Sequence, residues 1–112
     1  MQPSRKIASN TLLTADGVLH RHPLMHLNEA GEVVNITFCT EPDRQPFTEF
    51  RAGIVVPGLS REAFEAVRHN LNTPITELLP PYMEQDSTRA ALLTGLDYAT
   101  MSFTAESRYE AL

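Results

Sequence analysis

Along the first half of the chain, apolar and polar residues alternate with the period of a half-buried strand. Ile7, Thr11 and Leu13 mark one face of a strand over Ile7–Leu13, and Ala15-Asp16-Gly17 supplies a turn after it. Val18–Leu27 resumes the extended pattern with Pro23 inside it. Proline has no N–H for the ladder, so this strand is an edge or is broken in two. Asn28-Glu29-Ala30-Gly31 forms a second turn, and the β-branched, aromatic Glu32–Cys39 is the clearest strand of the chain. The polar stretch Thr40–Thr48, with Pro42 and Pro46, is a loop. Glu49–Val56 returns to strand, with Gly53 marking a bulge or a close backbone approach, and Pro57-Gly58 ends it.

Beyond Leu59 the spacing lengthens toward 3.6. Ser60 is a good N-cap, Glu62 falls in the first turn, and Phe64, Val67 and Leu71 recur at helical spacing, with Asn70 or Asn72 closing the helix. Thr73-Pro74 predicts a second helix as N-cap and first-turn proline, carrying Ile75, Leu78 and Leu79 on one side until Pro80-Pro81 stops it. Ala90-Ala91-Leu92-Leu93 fits helix or strand, with Gly95 as a break. No repeat, low-complexity tract or long linker divides the chain, so residues 1–112 read as a single domain.

Composition narrows the class. At 112 residues, with 42% hydrophobic and 21% charged residues, the chain is long enough for one core and is not disordered in general. Nine Lys and Arg against 14 Asp and Glu give a net charge of −5. With no basic run, that balance argues against nucleic acid or an anionic membrane as partner. The single cysteine, Cys39, has no internal partner for a disulfide, which fits a reducing, cytoplasmic setting. No apolar stretch approaches the roughly 20 residues of a membrane span, and MQPSRKIASN lacks the apolar core of a signal peptide.

Three groups are candidates for chemistry. His20-Arg21-His22 on a strand would place two imidazoles on one face, with His26 further along and Cys39 or a carboxylate completing a metal site. The same spacing describes a polar strand face beside a turn, which is the preferred reading, and Pro23 would rotate His26 away. Cys39 reads as a small, buried or half-buried side chain, since no neighbouring base would lower its pKa. Glu62 and Glu65, and later Glu84-Gln85-Asp86, suggest paired carboxylates, but opposite Phe64 and Val67 the first two read as a solvated helix face, with Arg61 and Arg68 on the same outer side. No catalytic residue, cofactor or metal is assigned.

Asp16-Gly17, Glu29-Ala30-Gly31-Glu32-Val33 and Gly53-Ile54-Val55-Val56-Pro57-Gly58-Leu59 together resemble the small N-terminal domain of metal-dependent amidohydrolases, the chlorohydrolase and cytosine-deaminase-like group. Leu92-Leu93-Thr94-Gly95-Leu96-Asp97, followed by Phe103-Thr104-Ala105-Glu106-Ser107-Arg108, is similar to the segment with which those enzymes return from the catalytic barrel and complete that domain. The likeness spans residues 5–59 and 91–112. It implies a composite β-domain without its barrel, because the roughly 250 residues of a (β/α)₈ barrel have no counterpart. In the family a His-x-His follows Pro-Gly-apolar; here Ala63 and Glu65 stand at those places, and Ala63 cannot ligate a metal.

These readings combine into a mainly β (α+β) fold: a small β-sandwich or rolled sheet of about six strands with two short helices. Residues 1–59 form the meander, 60–89 a helical insert replacing the barrel, and 90–112 the returning strands. A lost barrel would bare apolar surface, and leaving about 500 Å² uncovered would forgo on the order of 10 kcal/mol. Ile75, Leu78, Leu79, Tyr82 and Met83 are expected to cover most of it as a lid, a homodimer the rest. The functional expectation is a non-enzymatic protein acting by association with itself or another protein. The alternatives are a metal- or ligand-binding protein using His20, His22 and His26, and a regulatory subunit pairing with a complete amidohydrolase.

Overall fold

A computed structural model describes residues 5–38 and 48–112. In chain order the elements are β1 (Arg5–Ala8), β2 (Thr11–Leu13), β3 (Leu19–Arg21), β4 (Pro23–Leu27), β5 (Val33–Phe38), β6 (Thr48–Phe50), β7 (Ile54–Pro57), α1 (Arg61–Val67), α2 (Ile75–Leu78), a 3-10 turn at Pro80–Tyr82, β8 (Ala90–Thr94) and β9 (Arg108–Ala111). The strands form two mixed sheets, β5-β4-β1-β6 and β3-β2-β7-β8-β9. The expected class, mainly β with two short helices, is the class observed.

The strand count exceeds the expected six because three expected strands each break and cross from one sheet to the other. The breaks fall together. Ile7–Leu13 divides at Ser9-Asn10, Val18–Leu27 at His22, and Glu49–Val56 at residues 51–53. Such a corner exposes backbone groups that a straight ladder would satisfy, and here they are cross-linked instead. The Ser9 N–H donates to Pro23 O at 3.2 Å, His22 N–H to Asn10 O at 3.1 Å, and Arg51 N–H to Ala8 O at 2.8 Å. The fully buried Ser9 hydroxyl donates to Gly53 O, and Gly53 N–H donates to Asn10 Oδ1, both at 3.0 Å. Gly53 is the close approach expected of it: its φ is +138°, and a Cβ there would lie 2.6 Å from Leu93 O. Pro23 opens β4 in the interior of its sheet, so the break, not the edge, is the solution adopted.

The five-stranded sheet is the middle of three layers. Leu13, Ile54, Val56, Ala91 and Leu93 point to one side and pack with Phe64, Ile75 and Leu79 of the helical segment. Leu12, Val55, Ala90 and Leu92 point to the other side and meet Ile7, Met25 and Leu27 of the four-stranded sheet. Strands β7 and β8 are thus covered on both faces, which is why Ile-Val-Val-Pro and Ala-Ala-Leu-Leu run apolar without alternation. Residues 90–93 are strand, pairing antiparallel with β7, and β9 pairs with β8.

The helices are shorter than their pattern suggested. The Ser60 side chain accepts the Ala63 N–H as expected, but α1 ends at Val67, and Leu71 lies beyond it, 48% exposed. Thr73 does not cap α2. Pro74 holds that position, and the Ile75 N–H donates to Met101 O at 2.7 Å. Phe64 anchors the layer against Phe103 edge-to-face and against Tyr109, both at 5.6 Å between centroids. The loop expected over Thr40–Thr48 falls outside the described residues except for Thr48, which opens β6.

Candidate functional site

The chain leaves the β-unit after Pro57 and rejoins it at Ala90, and these two residues are partners across β7 and β8. Three backbone bonds fasten the junction. Gly58 N–H donates to Arg89 O and Glu84 N–H to Gly58 O, both at 2.9 Å, and Leu112 N–H donates to Ala90 O at 3.1 Å. Gly58 is required here, with φ +79° and the Glu84 backbone only 2.3 Å from where a Cβ would stand. Beside it opens a groove of about 410 Å³ with Leu59, Ala90 and Ala111 among its apolar lining and Ser60, Arg61, Ser87 and Arg89 among its polar lining. Tyr109 forms another part of the wall. Its hydroxyl donates to Leu59 O at 2.8 Å, its ring lies 4.8 Å from the Arg61 guanidinium, and burial raises its pKa while Arg61 pulls the other way.

The histidines are dispersed. His20 sits on β3 with its ring 5.5 Å from Phe38 and Nε2 3.3 Å from Thr14 Oγ1. His22 lies past the end of β3 with φ +59°, so the alternation that would bring it onto the face of His20 stops one residue before it. His26 belongs to β4 in the other sheet, between Lys6 and Asn35. Among the described residues no three His, Cys, Asp or Glu side chains gather to hold a metal ion. Cys39, named both as a possible ligand and as a buried thiol, lies outside the described residues.

Glu62 and Glu65 are exposed on α1, and Glu65 pairs with Arg68 at 3.3 Å. Arg61 is exposed, as expected of the outer side, whereas Arg68 is half-buried. Arg61 lies over Tyr109; Arg68 lies 5.0 Å from the Phe64 ring centroid and donates to Ser107 O at 3.0 Å. Both therefore clamp α1 to the C-terminal segment. Of the expected lid residues, Ile75, Leu79 and Met83 are buried and Leu78 partly so, while Tyr82 is 44% exposed. Missing from the sequence reading were Ser87, Arg89 and Tyr109, which no local spacing links to Arg61. They arrive only through the pairing of β8 with β7 and β9.

The remaining unusual surface is the far edge. Val34, Phe38 and Phe50 of the four-stranded sheet are each more than half exposed. Of the four edge strands among the described residues, β3 carries Arg21, β6 Glu49, and β9 Arg108 and Glu110, whereas β5, Val-Val-Asn-Ile-Thr-Phe, carries no charge. Glu49 pairs with Arg5 at 3.0 Å and with Arg51 at 3.9 Å, and Glu110 pairs with Arg51. Among the described residues no helix is long and apolar enough to cross a membrane. No family model, curated protein or solved structure matches the chain.

Proposed function

We propose that this protein is a non-enzymatic, barrel-less relative of the amidohydrolase small domain that acts by protein association. The observation that carries the reading is the single point of departure and return. Residues 60–89 hang from adjoining strands at Pro57 and Ala90, the place where the resemblance puts the barrel. Ala63 and Glu65, at the positions of the family's two histidines, support the loss of hydrolysis. Ala63 packs against the helical core and Glu65 is engaged with Arg68. The solitary cysteine supports a cytoplasmic setting.

Association is assigned to the β5 edge, with a second copy as the first partner. An uncharged edge strand is an open template for pairing, and a copy of itself brings no like charge to it. Antiparallel pairing about Ile36 would set Val34 opposite Phe38, a β-branched and aromatic cross-strand pair. Light scattering on a sizing column at two concentrations tests this. A mass of twice 12.5 kDa that falls to one chain in Val34→Lys supports it; a strict monomer at both concentrations refutes self-association at this edge. The non-enzymatic half fails if the purified protein hydrolyses amidohydrolase substrates well above a Glu65→Ala control.

A further inference from the structure

The groove beside Gly58 presents hydrogen-bond donors that the fold uses only in part. Ser60 Oγ accepts the Ala63 N–H, and Ser87 Oγ accepts the Arg89 N–H, both at 3.1 Å. Each hydroxyl accepts one backbone N–H and keeps its own hydrogen to donate. Arg89 Nη1 donates to Ala30 O at 2.7 Å, which fixes the side chain while leaving other guanidinium hydrogens available. The Arg61 guanidinium lies over the Tyr109 ring, 4.8 Å from its centroid. Among the described residues, neither arginine has a carboxylate within ion-pair distance. Glu84 is the groove's acidic side chain, and it is exposed.

We propose that this groove binds a small organic oxyanion, a carboxylate or phosphate headgroup on a short apolar body. The headgroup meets the Arg61 and Arg89 guanidiniums and the Ser60 and Ser87 hydroxyls. The body lies over Leu59, Ala90 and Ala111. On a protein of net charge −5, two cations with no carboxylate in ion-pair contact, Arg89 feeling Glu32 only at longer range, stand beside an apolar floor and an anion would complete them. The volume suits it, since small-ligand sites occupy about 300–1,000 Å³. The site stands independently of the ancestry proposed above; through Arg89 and Ala30 it lies beside the turn that leads into β5.

The test is a titration of the ¹⁵N-labelled full chain with hexanoate and with hexyl phosphate, using 1-hexanol and hexylamine as controls. Saturable shifts centred on the amides of Ser60, Arg61, Ser87 and Arg89 are expected with the anions and not with the controls. Arg61→Gln and Arg89→Gln should each weaken binding roughly tenfold, with the amide spectrum away from the groove unchanged. In the unaltered protein, added salt should weaken binding severalfold, a readout that needs no variant. The tighter of the two anions names the headgroup. Equal shifts with 1-hexanol, no saturable shift with either anion, or full affinity in both variants would overturn the proposal.

Discussion

The helix-covered side of the molecule and the four-stranded sheet on its far side bury their apolar residues to very different extents. On the first side Phe64, Ile75 and Leu79 are fully enclosed, with Phe103 and Met83 nearly so. On the second, Val34, Phe38 and Phe50 stand open to solvent. In the middle sheet β7 and β8 are covered on both faces. The difference leaves Val34, Phe38 and Phe50 open on the outer layer, whereas on the helical side Leu71, Tyr82 and Tyr98 are exposed around an enclosed core. A partner that bound the sheet face beneath the helical segment would have to displace that segment, whereas one that bound β5 beyond Val33 would meet side chains already open to solvent.

Removing the anchor of the covered side should produce the largest effect. Phe64→Ala deletes a ring that touches Phe103, Tyr109 and the Arg68 guanidinium, and should cost about 3–5 kcal/mol in denaturant unfolding. A cost below about 1 kcal/mol would mean that the helical layer is not part of the cooperative core. Next comes the corner where three strands change sheets. Gly53→Ala forces a side chain into a left-handed conformation against Leu93 O, costing about 1–3 kcal/mol for the backbone alone. Because Gly53 bonds to both Ser9 and Asn10, amide-exchange protection should fall in both sheets together. Loss confined to one sheet would show that the two sides fold separately.

On the open side the same kind of substitution should behave oppositely. Val34→Lys lies on an exposed edge and should change stability by less than about 0.5 kcal/mol, while converting a dimer to single chains in light scattering. Destabilisation as large as that of Phe64→Ala would erase the contrast between the sides.

Much of this contrast was visible in the residues, and the exceptions have physical causes. The alternating meander, the Ser60 cap and the close approach at Gly53 follow from local chemistry. The number of strands did not, because a strand that bends between sheets keeps its extended pattern through the bend. Only His22 with its left-handed φ, the cross-linked Ser9-Asn10 pair and Gly53 mark where the sheets part. Ala90–Leu93 resisted assignment because a strand buried on both faces loses the alternation that identifies it. Leu71 followed the helical period yet fell outside α1, which gives way to an Asn70-bonded turn first. Within the groove, Ser60 and Arg61 were legible as a helix start. Their convergence with Ser87, Arg89 and Tyr109 depends on strand pairings across tens of residues, which no spacing rule encodes.

The smallest expected effect compares one carboxylate from each sheet. Asp16, in the β2–β3 turn, is held below the usual carboxylate range first by the Thr14 hydroxyl. Glu32, at the start of β5, is lowered first by the Thr88 hydroxyl at 2.8 Å and then by the Asn28 amide at 3.2 Å. Both folded-state pKa values lie below their unfolded values. Each therefore contributes stability above the unfolded pKa and loses it as pH falls through the folded one. The sources of the two shifts differ in kind. Thr14 is two residues from Asp16, so their bond can persist in the unfolded chain and cancel from the difference. Thr88 is 56 residues from Glu32 and reaches it only when the segment preceding β8 docks beside the start of β5, where Val33 N–H also donates to Thr88 O at 2.7 Å. Thermal midpoints followed from neutral pH to about pH 3 should therefore fall less steeply in Glu32→Gln than in the parent, and Asp16→Asn should flatten the curve less. The reverse order would mean that the acid sensitivity belongs to the hairpin of the middle sheet and that the β5 side is tethered by something other than this carboxylate.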